Sequence, residues 1–243
     1  RTAVVAHRGG AALAPENSLA AVELALELDV ELIELDLRAS SDGVVVVFHD
    51  ETLERTSDGA GALAARTAAQ LAQLDVGAWK DARFAGERMP TLAQALAACR
   101  GRSELMLDVK TAGLARAARV ELERSGFDTA RLWVGTWNEE QRAEWMRELP
   151  QVRHAFIGEA PENATSEELE RWLDNVVERG YRAVSLRWAK LPPAGAELAR
   201  ERGLALFVWT LNASTELEAA LELGVDGVIT DRPERALALR RRR

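Results

Sequence analysis

The stretch Leu32-Ile33-Glu34-Leu35-Asp36-Leu37-Arg38, then Ala39-Ser40-Ser41-Asp42-Gly43, then Val44-Val45-Val46-Val47-Phe48-His49, decides how the chain is read. Both arms carry the β-branched and apolar residues of strands. Only residues 39–43 join them, whereas parallel neighbours need a crossover of about a dozen residues or more. The arms therefore form an antiparallel hairpin closed at Asp42-Gly43. Strand-like runs occupy 3–6, 32–37, 44–48, 105–109, 132–134, 154–157, 183–186, 205–209 and 227–230. Most are separated by Ala/Leu/Glu-rich stretches of helical period, the signature of βαβ units and a parallel sheet. Setting aside the second hairpin arm leaves eight parallel strands in about 240 residues, which predicts an α/β fold: a distorted (β/α)8 TIM-type barrel.

Start and stop signals agree with this alternation. Asn17 or Ser18 can cap a helix over 19–28, and Thr91, Asn138 and Thr165 each stand three residues before Gln94, Gln141 and Glu168, the spacing of a capping box. Gly126, Gly180, Gly203 and Gly224 follow helical runs as stop residues. Residues 51–90 break the rhythm with Gly59, Gly61, Gly77 and Gly86 and with Trp79 and Phe84. They are expected to form an inserted subdomain with one short helix over 68–74, inside a single domain of residues 1–243. The C-terminal run Arg240-Arg241-Arg242-Arg243 reads as a frayed, solvated tail.

With 47% hydrophobic and 29% charged residues, the composition is that of a globular chain and not of a disordered one. A formal charge of −8 argues against non-specific nucleic-acid binding, which needs a positive field. No apolar run reaches the ~20 residues of a membrane span, so stable membrane insertion is not expected. The single cysteine, Cys99, allows no intramolecular disulfide and reads as a small buried hydrophobe. A reducing, cytoplasmic setting is expected from it, although Arg1 in place of an initiator Met leaves open what preceded it.

The chemistry gathers at strand ends. Of three histidines, His7 closes the first strand and His49 closes the hairpin arm, both at the end where barrels of this type carry their sites. His154 opens a strand at the opposite rim and receives no role. Glu34 and Asp36 are two apart, so they share one face of the second strand, and Asp108 and Lys110 repeat the spacing on the third. Burying unpaired carboxylates among apolar neighbours costs several kcal/mol. One hard divalent cation, Mg²⁺ or Ca²⁺, held by Glu34, Asp36 and Asp108 resolves that cost; an ion-pair network with Arg8 and Lys110 is the alternative. Two imidazoles suit a proton in and a proton out near neutral pH, and a dication with two basic side chains suits the charge on a phosphoryl group in transfer. No nucleotide-binding Gly-Lys-Ser/Thr loop is present.

In order along the chain stand His7-Arg8-Gly9, Pro15-Glu16-Asn17-Ser18, Glu34-Leu35-Asp36, Asp42-Gly43 with His49-Asp50, Arg88-Met89-Pro90-Thr91-Leu92, Asp108-Val109-Lys110, Val208-Trp209-Thr210-Leu211-Asn212 and Asp226-Gly227-Val228-Ile229-Thr230-Asp231. In this order the sequence resembles the glycerophosphodiester phosphodiesterase family over nearly its whole length. The resemblance implies hydrolysis of a small-molecule glycerophosphodiester to glycerol phosphate and an alcohol. It implies a divalent ion on Glu34, Asp36 and Asp108, acid–base roles for His7 and His49, and phosphate contacts from Arg8 and Lys110. Trp209 is expected to wall the glycerol or alcohol moiety, and Trp79, Trp137 and Trp188 are candidates for the rim. Asp108 departs from the family's usual Glu, and Ser18 from its usual Thr.

The expected course is attack of the adjacent glycerol hydroxyl on phosphorus with His7 as base and His49 as acid, giving a cyclic phosphate that water then opens. Two alternatives stand beside it: a lyase of the phospholipase D toxin type that releases the cyclic phosphate, and a non-catalytic barrel that only binds phosphodiesters. The alcohol head group, the choice of ion, the order of the histidines and the oligomeric state are not legible in the sequence.

Overall fold

The structure is a computed structural model that describes residues 1–242. Eight parallel strands close on themselves: β1 (Ala3–Ala6), β2 (Leu32–Ala39), β4 (Glu104–Val109), β5 (Leu132–Thr136), β6 (Arg153–Gly158), β7 (Ala183–Arg187), β8 (Ala205–Trp209) and β9 (Gly227–Thr230). Neighbours pair in that order, and β1 closes the ring by pairing with both β9 and β2. The remaining strand, β3 (Val45–Val47), lies antiparallel on the outer end of β2, with Leu37 opposite Val47 and Ala39 opposite Val45. It is the returning hairpin arm. The expected barrel is the observed one.

Helices cover the outside: α1 (Leu19–Glu27), α3 (Leu92–Cys99), α4 (Ala115–Ser125), α5 (Glu139–Glu148), α6 (Ser166–Glu178), α7 (Gly195–Glu201), α8 (Ser214–Leu223) and α9 (Pro233–Arg240). Their starts are set by local chemistry. Ser18 Oγ accepts from the Ala21 amide, Thr91 and Thr165 form reciprocal capping boxes with Gln94 and Glu168, and Asn138 accepts from the Gln141 amide. Each such cap is worth about 1 kcal/mol.

Two apolar layers follow from strand alternation. Ile33, Leu35 and Leu37 of β2 point outward into the core beneath the helices, as do Leu105, Leu107 and Val109 of β4. Val5, Leu32, Met106, Trp133, Phe207 and Ile229 fill the barrel interior, with Trp133 and Phe207 meeting edge to face at 5.2 Å. Phe207 fits because its neighbour is Gly227, where a Cβ would lie 2.4 Å from the ring. The interior plug occupies the N-terminal part of the cylinder, so the inward positions above it (Glu34, Asp36, Asp108) open on the C-terminal mouth. Cys99 is fully buried, and burial pushes its thiol up to about 12.

Residues 48–89 carry a small core of their own, Phe48, Leu53, Leu63, Leu71, Val76 and Met89. The short helix there is α2 (Ala68–Leu71), three residues shorter than expected, because Leu74 and Asp75 turn back to pair Asp75 with Arg88. The tail expectation is corrected at Arg240. It closes α9 and its guanidinium donates to Glu31 and to the Thr2 carbonyl, both under 3 Å, which ties the C-terminal helix to the start of β1. Arg241 and Arg242 are exposed, and Arg243 lies outside the described residues. Among the described residues, no helix is long and apolar enough to cross a membrane.

Candidate active site

Immediately after β1 the chain turns sharply through His7-Arg8-Gly9-Gly10. Arg8 adopts a left-handed conformation (φ 53°), which costs roughly 1 kcal/mol for a side-chain-bearing residue. Gly9 sits at φ +82°, where a Cβ would meet Ala21 at 2.7 Å, so glycine is required there. This turn aims the Arg8 amide at Glu34, with N–H···Oε2 at 2.8 Å. Asn17, also left-handed at φ 58°, clasps Asp36 twice: its Nδ2 donates to Oδ2 at 2.7 Å and its Oδ1 accepts from the Asp36 amide at 3.1 Å.

Glu34, Asp36 and Asp108 are buried, and one carboxylate oxygen from each lies within 4.8 Å of the others. The register explains the meeting: Asp36 of β2 stands directly opposite Asp108 of β4. Burial and the neighbouring charge of Asp36 push Glu34 up to about 8. Burial, aided by the charge of Asp36, also raises Asp108 against the pull of Lys110. Burial works against Asp36 as well, but Lys110 and Arg8 hold it down at about 2. Lys110 Nζ is 2.5 Å from Asp108 and 3.1 Å from Asp36, and Arg8 Nε is 3.2 Å from Asp36. Asp36 Oδ1 has the Lys110 ammonium as its close partner, and Asp36 Oδ2 has Asn17 and Arg8. Three convergent buried carboxylates, one of them forced toward neutrality by burial and by the others, form an all-oxygen donor set that suits a hard divalent cation. The ion-pair alternative is realised in part by the same residues, which leaves two basic groups, Arg8 and Lys110, against the carboxylates.

Both mouth histidines are oriented alike. His7 Nδ1 is 2.6 Å from Asp231 Oδ1, and Asn212 Nδ2 donates to the other oxygen of Asp231 at 2.7 Å. His49 Nδ1 is 2.6 Å from Asp50 Oδ1, and Arg55 donates to both oxygens of Asp50. A carboxylate on Nδ1 fixes the proton there and leaves Nε2 for chemistry. Burial lowers the affinity of His7 for a proton, but the Asp231 hydrogen bond and the Glu34 charge outweigh it, so its pKa is raised. Asp50 is held at about 2, chiefly by its Arg55 hydrogen bonds.

A cavity of about 240 Å³ is lined by His7, Arg8, Glu34, His49, Asp108 and Lys110 on one side. Trp137, Ile157, Ser185, Arg187 and Trp209 face them. All the expected site residues therefore meet at one mouth, with Asp36 buried just behind the lining. His154 is buried at the other rim, its Nε2 on the Leu149 carbonyl at 3.0 Å. Trp79 sits in the insert at 40% exposure, and Trp188 packs against the outer core. Asp231, Asn212 and Arg55 were not expected. The signal for Asp231 was its place just past β9, the neighbour of β1; nothing local in the sequence pointed to Arg55.

The sequence profile of the glycerophosphoryl diester phosphodiesterase family matches residues 7–235. The chain belongs to that family. It is accordingly a phosphodiesterase. It is 29% identical over 255 residues to the glycerophosphodiester phosphodiesterase of Caldanaerobacter subterraneus, covering 100% of this chain and 99% of that one. Among solved structures, the Agrobacterium tumefaciens glycerophosphodiester phosphodiesterase superposes with a TM-score of 0.85 at 29% identity, covering 98% of this chain and 100% of that one. An Oleispira antarctica phosphodiesterase, solved in complex with the product sn-glycerol-3-phosphate, superposes at 0.89 with 26% identity, covering 98% and 96%.

Proposed function

We propose that this phosphodiesterase hydrolyses small-molecule glycerophosphodiesters to glycerol phosphate and an alcohol, with His7 and His49 moving the protons. The observation that carries the reading is the pair of imidazoles, each with Nδ1 2.6 Å from a carboxylate, facing one cavity beside three buried carboxylates. Glu34, Asp36 and Asp108 would hold one divalent cation, Mg²⁺ or Ca²⁺, which supplies charge neutralisation for a phosphoryl oxygen and lowers the pKa of a bound hydroxyl.

Arg8 and Lys110 line the cavity next to these carboxylates and place cationic donors against the non-bridging phosphate oxygens, where charge grows during transfer. His7, whose Nε2 lies 4.0 Å from Glu34, takes the proton of the glycerol hydroxyl that attacks phosphorus. His49, the more exposed of the two, gives a proton to the departing alcohol. A cyclic phosphate results. The roles then reverse: His49 takes a proton from water, and His7 returns one to the ring oxygen. Trp209, at the end of β8, walls the organic part of the substrate. The same reading treats the chain as one barrel domain interrupted by residues 51–90, supported by the separate core of that segment.

The test is release of sn-glycerol-3-phosphate from glycerophosphodiesters with Mg²⁺ or Ca²⁺, with and without chelator. Phosphorus NMR of a single turnover follows the product. Turnover lost on chelation and restored by the ion supports the reading, and metal-independent turnover overturns it. A transient cyclic phosphate supports the two-step course. Cyclic phosphate as the final product would make the protein the lyase of the alternative.

A further inference from the structure

The wall opposite the carboxylates holds two polar groups that the proposed chemistry leaves unused. Ser185 and Arg187 are two residues apart on β7, so they share its inward face, and both line the cavity. Ser185 is 1% exposed and its Oγ has no hydrogen-bond partner. A buried hydroxyl without a partner is uncommon, and here the space it faces is the cavity. One step nearer the mouth, the Arg187 guanidinium lies 4.9 Å from the centre of the Trp209 ring, while its Nε is 2.8 Å from Glu159. Lys110 likewise stands 5.0 Å from the centre of the Trp137 ring. The two indoles meet edge to face at 5.8 Å. Recognition of a substrate ammonium by aromatic rings needs an open ring face. At this mouth each indole already carries a cation of the protein's own.

We infer that this wall selects the substrate: Ser185 Oγ hydrogen-bonds the terminal hydroxyl of the glycerol moiety at the cavity floor, and Arg187 faces the alcohol at the mouth and favours an uncharged or anionic alcohol over an ammonium one. This rests on the functional reading above and assigns its substrate class. The glycerol, small and invariant, takes the enclosed end; the alcohol, which must leave, takes the end nearer solvent. Trp209 Nε1 donates to the Ser185 carbonyl at 3.0 Å, which ties the floor and the side wall into one unit.

The experiment compares kcat/KM for two near-isosteric diesters, glycerophosphoethanolamine and its ethylene glycol counterpart, which differ in the charge of the alcohol. The native protein should prefer the uncharged diester by about tenfold. The preference should fall to within about twofold in Arg187→Gln and invert in Arg187→Glu. Equal kcat/KM in the native protein, or an unchanged ratio in both variants, overturns the Arg187 assignment while leaving the phosphodiesterase reading intact. Absence of turnover of either diester with either ion overturns both.

For Ser185 the comparison is between the glyceryl diester and its 2-hydroxypropyl analogue, which keeps the hydroxyl beside the phosphate and lacks the terminal one. The native protein should favour the glyceryl diester by about tenfold, and Ser185→Ala should erase that preference by losing activity on the glyceryl diester alone. Equal losses on both would mark a merely structural serine. No loss on either would mark a hydroxyl satisfied by water. Both outcomes overturn the assignment.

Discussion

The two histidines of the mouth have the same Nδ1–carboxylate distance, 2.6 Å, yet they are supported by different parts of the molecule. His7 stands at the end of a barrel strand, and its partner Asp231 follows the adjacent strand β9 and is braced by Asn212. His49 stands beyond the hairpin arm, where the chain leaves the barrel for the insert. Its partner Asp50 is braced by Arg55, whose guanidinium also bonds Glu16 and whose side chain is 47% exposed. The closed cylinder holds one imidazole, and a loop stapled by a partly exposed arginine holds the other. Equivalent imidazole–carboxylate pairs are built here on unlike supports, and the difference should appear in which supporting residues matter.

The largest effects should come from the imidazoles themselves. His7→Ala and His49→Ala should each lower kcat by about 10³-fold, in the range of a lost general acid or base, with circular dichroism and Tm little changed. Near-native turnover in either would remove that histidine from the proton path. Next come the braces. Asp231→Asn should lower kcat/KM by about 100-fold and Asp50→Asn by about tenfold, the span found for residues that orient a functional imidazole. The inequality follows from the exposure of the imidazoles, 18% for His7 and 32% for His49, which leaves less water to take the place of a lost carboxylate at His7. Equal losses would break the comparison.

Arg55→Ala should cost only a few fold at neutral pH, because Asp50 stays charged and in reach, but it should change the acid limb. With Asp50 held at about 2 in the folded chain and near 3.9 when unfolded, its contribution to stability is present above about pH 4. It is lost as pH falls toward 2. Without Arg55 the carboxyl moves back toward its ordinary value, and this contribution shrinks. Denaturation midpoints of the two proteins should therefore differ at pH 5–7 and converge only below about pH 2. The smallest effect concerns the carboxylate cluster. With Glu34 held near 8 in the absence of a cation, binding an ion must displace its proton at neutral pH. Affinity for Mg²⁺ or Ca²⁺ should therefore rise with pH and level off above about 8, and calorimetry in buffers of different ionisation enthalpy should register close to one proton released at pH 7. Affinity independent of pH between 6 and 9 would show that Glu34 is not a ligand.

Much of this was legible in advance because it rests on local rules. The five residues between the hairpin arms forbade a parallel crossover, and β3 is indeed the antiparallel arm outside the cylinder. Glu34 and Asp36 share a face because strands alternate, and Asp108 joins them because β4 is the next parallel strand. Arg55 was not legible because its role depends on how the insert folds back over Glu16 and Asp50, and no periodicity encodes that path. The length of α2 was set by the pairing of Asp75 with Arg88 rather than by helical propensity. Arg240 looked like part of a disordered basic run until the barrel brought Glu31, 209 residues away, within 2.8 Å.

Sequence alone determined the strand count, the antiparallel sense of the hairpin arm, the positions of the two imidazoles at strand ends and the carboxylate spacing, since each depends on backbone geometry within a few residues. The tertiary structure decided which carboxylate steadies each imidazole, that Lys110 and Arg8 press on the acids from either side, and that Trp137 donates to Asp108 at 2.6 Å. Asp50 and Asp108 are near neighbours of His49 and Lys110 in the chain, but His7 with Asp231, Arg8 with Asp36 and Trp137 with Asp108 join separate elements, and their distances are fixed by the closure of the cylinder.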